Sequence, residues 1–102
     1  MKTRIYKNNM KHWVAESKII LSDDLILEFI TAKHNDVLLS SAKVLKLEDG
    51  FLRHALRVDY YIRVVATRHS RITEKAVKEQ HESIDYNMII EDASKFYKIE
   101  MA

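Results

Sequence analysis

The chain has 102 residues, 47% of them hydrophobic and 31% charged, a composition that predicts one folded domain and excludes a disordered polyelectrolyte. Its 17 basic and 15 acidic residues leave a net charge of only +2, too small to commit the whole molecule to nucleic-acid backbones. Because cysteine is absent, disulfides, thiolate catalysis and cysteine-ligated metals are excluded.

The apolar runs of the chain are short. "KIIL" and "LILEFI" fall well below the roughly 20 residues that a transmembrane helix needs, and the amino-terminal "MKTRIYKNNMKHW" has no apolar signal core. The sequence therefore predicts a cytoplasmic protein that does not associate with membranes.

The first half of the chain predicts a strand followed by a helix. A short and irregular alternation from His12 to Leu21 indicates the strand. Ser22 is a favourable helix N-cap, and Asp23 places a negative charge in the first turn. Apolar side chains then recur at helical spacing, at Leu25, Ile26, Phe29 and Ile30.

After this helix, the sequence predicts an apolar triplet, a polar turn at Ser40–Ser41 and the strand "KVLKLE". Ser40–Ser41 is alternatively a bulge within one long strand, because the alternation changes phase there. Asp49–Gly50 then predicts a hairpin at the midpoint of the chain, since glycine adopts positive φ without steric cost.

The second half repeats this order. Residues Leu56 to Ala66 alternate with period two and predict a half-buried strand. Thr73 is the N-cap of a second helix, which is followed by an apolar triplet, a polar turn in "EDAS" and the strand "KFYKIE". The core-facing stripe of this second helix is more polar than that of the first helix and comprises Ala76, Val77, Gln80, His81 and Ile84.

The predicted fold is therefore α+β, with residues 1–102 as a single domain. Two similar strand-helix-strand-strand motifs, residues 1–50 and 51–102, are arranged around a pseudo-two-fold axis and share one core. The expected core residues are Trp13, Leu25, Ile26, Phe29, Ile30, Leu38, Val44, Leu56, Val58, Ile62, Val64, Val77, Ile89 and Ile99.

No motif in the sequence indicates catalysis. With one glycine there is no phosphate-binding loop, and the five histidines show no metal-ligand spacing. The histidines are therefore expected at the surface or at the edge of the core. We predict a protein that is not an enzyme and uses no cofactor or metal.

Two binding functions are consistent with the sequence. The first is a protein-interaction module that binds an extended peptide in the groove between the two motifs, using Tyr60, Tyr61, Arg63, Phe96 and Tyr97. The alternative is a nucleic-acid-binding protein that uses Arg53, Arg57, Arg63, Arg68 and Arg71. A homodimer would also occupy an exposed strand edge.

The matching segments "SAKVLKLE" and "ASKFYKIE", in a short chain without cysteine or a catalytic motif, resemble the small orphan proteins of archaeal filamentous viruses. The resemblance covers the whole chain and rests on its length and duplicated architecture. It implies a viral protein in the host cytoplasm whose role is binding, and it assigns no role to any particular residue.

Overall fold

A computed structural model describes residues 2–22, 25–47, 55–58, 65–68 and 71–95 of the chain. These residues form six strands and two helices. In chain order the elements are β1 (Lys2–Lys7), β2 (Trp13–Ser22), β3 (Leu25–His34), β4 (Val37–Leu47), β5 (Ala55–Val58), β6 (Val65–Arg68), α1 (Glu74–Glu82) and α2 (Tyr86–Ser94).

The strands form one antiparallel sheet in the order β1-β2-β3-β4-β5, and β6 also pairs with β4. Strands β1 to β4 are consecutive hairpins, so neighbours in sequence are neighbours in the sheet. Both helices lie against one face, here called the helix-side face, which includes Ser17, Phe29 and Ala42. The opposite, open face includes Glu16 and Glu28.

The predicted α+β class is confirmed, but the helix predicted after Ser22 is wrong. Residues Leu25–His34 form strand β3. Leu25, Leu27 and Phe29 are buried on the helix-side face, whereas the intervening Ile26 lies on the open face and is half-buried. This segment is rich in β-branched and aromatic residues and hydrogen-bonds to β2 and β4, so tertiary pairing overrides the local helix signal.

The polar turn predicted at Ser40–Ser41 is also wrong. Strand β4 runs through both serines, and its pairing with β3 keeps one register from Leu25↔Lys46 to His34↔Val37. The alternative of one long strand is therefore confirmed, although without a bulge against β3. A register irregularity occurs instead in β2, between Ile20 and Ser22.

Strands β5 and β6 lie in the segment predicted as one strand, and both pair with β4. Ser40 pairs with Val65, whereas Val44 pairs with Val58. Ser40 and Val44 are four residues apart on β4, whereas their partners Val65 and Val58 are seven residues apart. The two pairings therefore differ in register by three residues. The residues between β5 and β6 lie outside the described part of the chain, so the single strand expected from Leu56 to Ala66 stays a prediction there.

The second helix is confirmed where Thr73 predicted it. The Thr73 hydroxyl accepts a hydrogen bond from the Ala76 N–H at 3.2 Å, and α1 buries Val77, Gln80 and His81. The polar turn expected in "EDAS" is wrong, because these residues belong to α2.

The described residues give no support for the pseudo-two-fold repeat. Residues 2–47 contain four strands, whereas the later described residues contain two short strands and two helices. The predicted hairpin at Asp49–Gly50 lies outside the described residues.

The core lies between the helices and the helix-side face, in two apolar clusters. The larger is centred on Phe29 and Ile89, and the smaller on Leu38 and Val77. Six of the expected core residues are buried: Leu25, Phe29, Leu38, Val44, Val77 and Ile89. Three are half-buried: Trp13, Ile26 and Ile30. The side chains of Leu56, Val58, Ile62, Val64 and Ile99 lie outside the described part of the chain.

Candidate functional site

Most of the predicted site residues lie outside the described residues, namely Arg53, Tyr60, Tyr61, Arg63, Phe96 and Tyr97. Of the remaining arginines, Arg57 pairs with Leu45 and Arg68 pairs with Val37. Arg68 is exposed, as is Arg71 shortly before α1. Whether the predicted residues form one surface therefore stays a prediction.

Strand β1 is an edge strand that the sequence analysis did not single out. Among the described strands it pairs with β2 alone. Its side chains are ordered by contacts with β2: the Arg4 Nε atom lies 3.2 Å from Glu16 Oε1, and the guanidinium stacks at 4.1 Å over the Tyr6 ring. This edge therefore presents a preformed row of backbone groups.

All the charges on β1 are positive. Lys2, Arg4 and Lys7 are its only ionisable residues apart from Tyr6, and the Lys7 ammonium lies 4.9 Å from the centre of the Trp13 ring. The other edge of the sheet is less regular, because β5 and β6 have four residues each and differ in register. Among the described strands, β1 is thus the more continuous template for another strand.

A chain of hydrogen bonds runs from β1 into the core. Thr3 Oγ1 lies 2.8 Å from Ser17 Oγ, which lies 2.8 Å from Nε2 of His81. On the other side of the imidazole, Nδ1 lies 2.9 Å from Thr31 Oγ1, and Thr31 lies 2.8 Å from Ser40 Oγ. We call these five residues the polar chain.

The polar chain is buried except at Thr3. Ser17, Thr31, Ser40 and His81 are all 2% exposed or less, and His81 approaches the Tyr86 ring edge-on with the ring centres 6.2 Å apart. The imidazole thus contacts hydroxyl groups on two strands, β2 and β3, and the Tyr86 ring of α2. Every nitrogen of its ring has a hydrogen-bond partner, which offsets the cost of burying it.

The Ser17–His81 pair has the short hydroxyl–imidazole contact of an activated nucleophile. Here Nδ1 of His81 contacts a hydroxyl group, Thr31, where hydrolytic triads have a carboxylate. Both Ser17 and His81 are 1% exposed, so no substrate reaches the pair in this conformation. The geometry therefore holds elements together rather than presenting a reactive group.

The inner end of the polar chain lines a pocket of about 110 Å³ beside the α1–α2 turn. Its polar lining residues are Ser40, Ser41, Ser83 and Asp85, and its apolar lining includes Ile89. The Asp85 carboxylate accepts a hydrogen bond from the Met88 N–H at 3.1 Å and thereby caps α2. The pocket is smaller than typical cofactor sites.

Within the described part of the chain, no group of three or more histidine or acidic side chains lies close enough together to hold a metal ion. The two described helices have nine residues each, and neither is long and apolar enough to cross a membrane.

The buried imidazole makes stability depend on pH. Burial lowers the pKa of His81 below its ordinary value of 6.5, and the Glu82 carboxylate opposes this shift only in part. Burial also raises the pKa of the neighbouring Tyr86 phenol, which therefore stays neutral. The pKa of His81 is therefore lower in the folded chain than in the unfolded chain. At pH values between these two pKa values the unfolded chain binds more protons, so lowering the pH favours unfolding.

We expect the free energy of unfolding to fall as the pH drops below about 6.5, by up to about 1.4 kcal/mol per pH unit. Urea denaturation at pH 7.5, 6.5 and 5.5 measures this slope. The variant His81→Gln should lose it, whereas the control His34→Gln, at the exposed last residue of β3, should keep it. An equal slope in both variants would contradict the assignment to His81.

Comparisons of the chain with models of known protein families, with characterised proteins and with solved structures found no match. The resemblance to viral proteins therefore stays a prediction.

The polar chain was not predicted from the sequence, because the histidines were expected at the surface or at the edge of the core. A signal was present. Side chains alternate between the two faces of each strand, and Ser17, Thr31 and Ser40 occupy positions that face the core. His81 belongs to the stripe of core-facing residues on the second predicted helix. Hydroxyl residues at core positions indicate a buried polar partner, but only the pairing of the strands identifies it.

Proposed function

We propose that this chain is a non-enzymatic binding module that takes up an extended, acidic segment of a partner protein at the edge of β1 that no described strand covers. The added strand would extend the sheet by backbone hydrogen bonds. The observation that carries the proposal is that β1, six residues long and with only cations among its charged groups, lies at the edge of the sheet that the described strands form.

The charges of β1 favour an acidic partner over a second copy of the chain. An antiparallel pair of β1 strands centred on Arg4 would place the two Arg4 side chains opposite each other and six cations along one short ribbon, and like charges facing each other destabilise a sheet. An acidic strand replaces this repulsion with attraction. The lysines that discourage self-association thereby select the partner.

We expect a fluorescein-labelled peptide that alternates glutamate and valine to bind the protein, and one that alternates lysine and valine not to bind. The double variant Lys2→Glu with Lys7→Glu should weaken binding about fivefold, because the glutamates of such a peptide share one face of the added strand and only one of the two substituted lysines, which lie on opposite faces of β1, then repels them directly. Fluorescence anisotropy at pH 7.5 measures the dissociation constants.

A matched control reverses two lysines elsewhere. Lys75 and Lys78 are exposed on α1, where they form ion pairs with Glu79 and Glu82. The variant Lys75→Glu with Lys78→Glu has the same net charge as the β1 variant but leaves β1 unchanged. If it weakens binding equally, the peptide responds to overall charge and the β1 site is wrong.

Nucleic-acid binding is the second candidate, favoured by Arg68 and Arg71, which are both exposed. On the open face, however, Arg4 and Lys18 pair with Glu16 and Glu28, which reduces the positive potential available to phosphates. Affinity for a labelled random DNA duplex that falls by orders of magnitude as salt rises would favour this candidate. A mainly backbone-bonded peptide depends less on salt.

A further inference from the structure

Thr3 joins the proposed binding edge to the buried imidazole. It belongs to β1, is exposed, and its hydroxyl contacts Ser17, the first buried member of the polar chain. A residue added opposite Thr3 on the helix-side face would reach this hydroxyl, because side chains opposite each other in paired strands lie close together.

While Thr3 faces water, the hydrogen bonds of the polar chain can run in either direction, from Thr3 towards Ser40 or from Ser40 towards Thr3. Water both donates and accepts, and each hydroxyl group has one hydrogen and two lone pairs. A neutral imidazole donates from one nitrogen and accepts at the other. The hydrogen of His81 can therefore sit on Nε2, facing Ser17, or on Nδ1, facing Thr31.

We propose that the partner strand carries a carboxylate opposite Thr3, and that its binding selects the Nε2–H form of His81. This inference rests on the proposed function, since it names the side chain that the β1 edge recognises. Thr3 is then a specificity-determining residue, and His81 reports whether the edge is occupied.

A carboxylate only accepts, so Thr3 must donate to it. The Thr3–Ser17 bond then requires Ser17 to donate to Thr3, which uses the only hydrogen of Ser17. The Ser17–His81 bond therefore requires Nε2–H, and Nδ1 accepts from Thr31. Thr31 in turn accepts from Ser40, which is one of the residues that line the pocket.

Tyr86 offers Ser17 a second acceptor when the hydrogen bonds run in the opposite direction, from Thr3 to Ser17. Its hydroxyl donates to the His81 carbonyl at 3.1 Å and is also within hydrogen-bonding reach of Ser17. When Thr3 donates inward, the Ser17 hydrogen can go either to Nε2 or to the Tyr86 oxygen. A donor at position 3 therefore permits the Nδ1–H form of His81 but does not require it.

The test replaces Thr3, which is exposed, by an acceptor or by a donor. Thr3→Asp places an acceptor-only group at the outer end of the polar chain, whereas Thr3→Lys places a donor-only group there. NMR measurement of the His81 ring nitrogens gives the ratio of the two neutral forms at pH 8. We expect the ratio of the Nε2–H form to the Nδ1–H form to be about tenfold higher in Thr3→Asp than in Thr3→Lys. This factor corresponds to the free energy of one hydrogen bond that is lost when its donor or acceptor faces the wrong way.

The same measurement on the unmodified protein uses the glutamate–valine peptide as the probe. Peptide binding that raises the Nε2–H population, and does not do so in Thr3→Val, supports the inference. Binding that leaves the His81 nitrogens unchanged overturns the inference and leaves the β1 edge as the binding site. Equal ratios in Thr3→Asp and Thr3→Lys overturn it without any peptide. No binding of the peptide overturns the proposed function and this inference together, even where the two variants differ.

Discussion

The variant Phe29→Ala is expected to lose about 3–5 kcal/mol of unfolding free energy, the largest effect of any single change predicted for this chain. Phe29 is fully buried at the centre of the larger apolar cluster, and its ring meets the Tyr86 ring edge-on with the ring centres 4.5 Å apart. Truncation removes both the packing of β3 against α2 and the aromatic contact. Denaturation by urea measures the loss.

A matched apolar control lies on the neighbouring strand. Ile20 is 71% exposed on β2, so Ile20→Ala should change the free energy of unfolding by less than about 0.5 kcal/mol. Comparable losses for the two variants would mean that Phe29 is not in the core. They would also contradict the placement of β3 between β2 and β4.

The variant His81→Ala is expected to lose about 2–4 kcal/mol. Removing the ring leaves a cavity and takes one hydrogen-bond partner from each of two buried hydroxyls, those of Ser17 and Thr31. These hydroxyls keep their bonds to Thr3 and Ser40, which limits the loss. Thermal and urea unfolding at pH 7.5 measure it.

The comparison for this variant is His34→Ala, which removes an exposed imidazole and should be nearly neutral. A loss below about 1 kcal/mol in His81→Ala would show that the polar chain contributes little to stability. Its role would then be limited to directing hydrogen bonds between β1 and the pocket.

Thr73 and Ser22 show why local signals were only partly sufficient. Both are good N-caps followed by an acid, and both preceded apolar residues at helical spacing. Thr73 does cap α1, but the segment after Ser22 became the central strand β3. Its apolar run suits either a helix or a strand, and the long-range partners β2 and β4 decide between them.

The candidate site was predicted less well than the fold class. The peptide-binding mode came from the general argument that exposed strand edges accept extended segments, but the residues chosen for it were Tyr60, Tyr61, Arg63, Phe96 and Tyr97. The edge at β1 was not predicted, because the order of strands in the sheet depends on pairings that no local pattern contains.

The sequence by itself determined the α+β class, the capped helix α1 and the burial of Val77 and Phe29, because each depends on composition or on the spacing of a few residues. Only the tertiary structure decided that β1 lies at the edge of the described sheet and that Ser17, Thr31 and Ser40 form one hydrogen-bonded chain with His81. Those residues are 41 to 64 positions from His81 in the chain. Sheet register and helix docking bring such residues together, and both are settled by the combined packing of the whole chain.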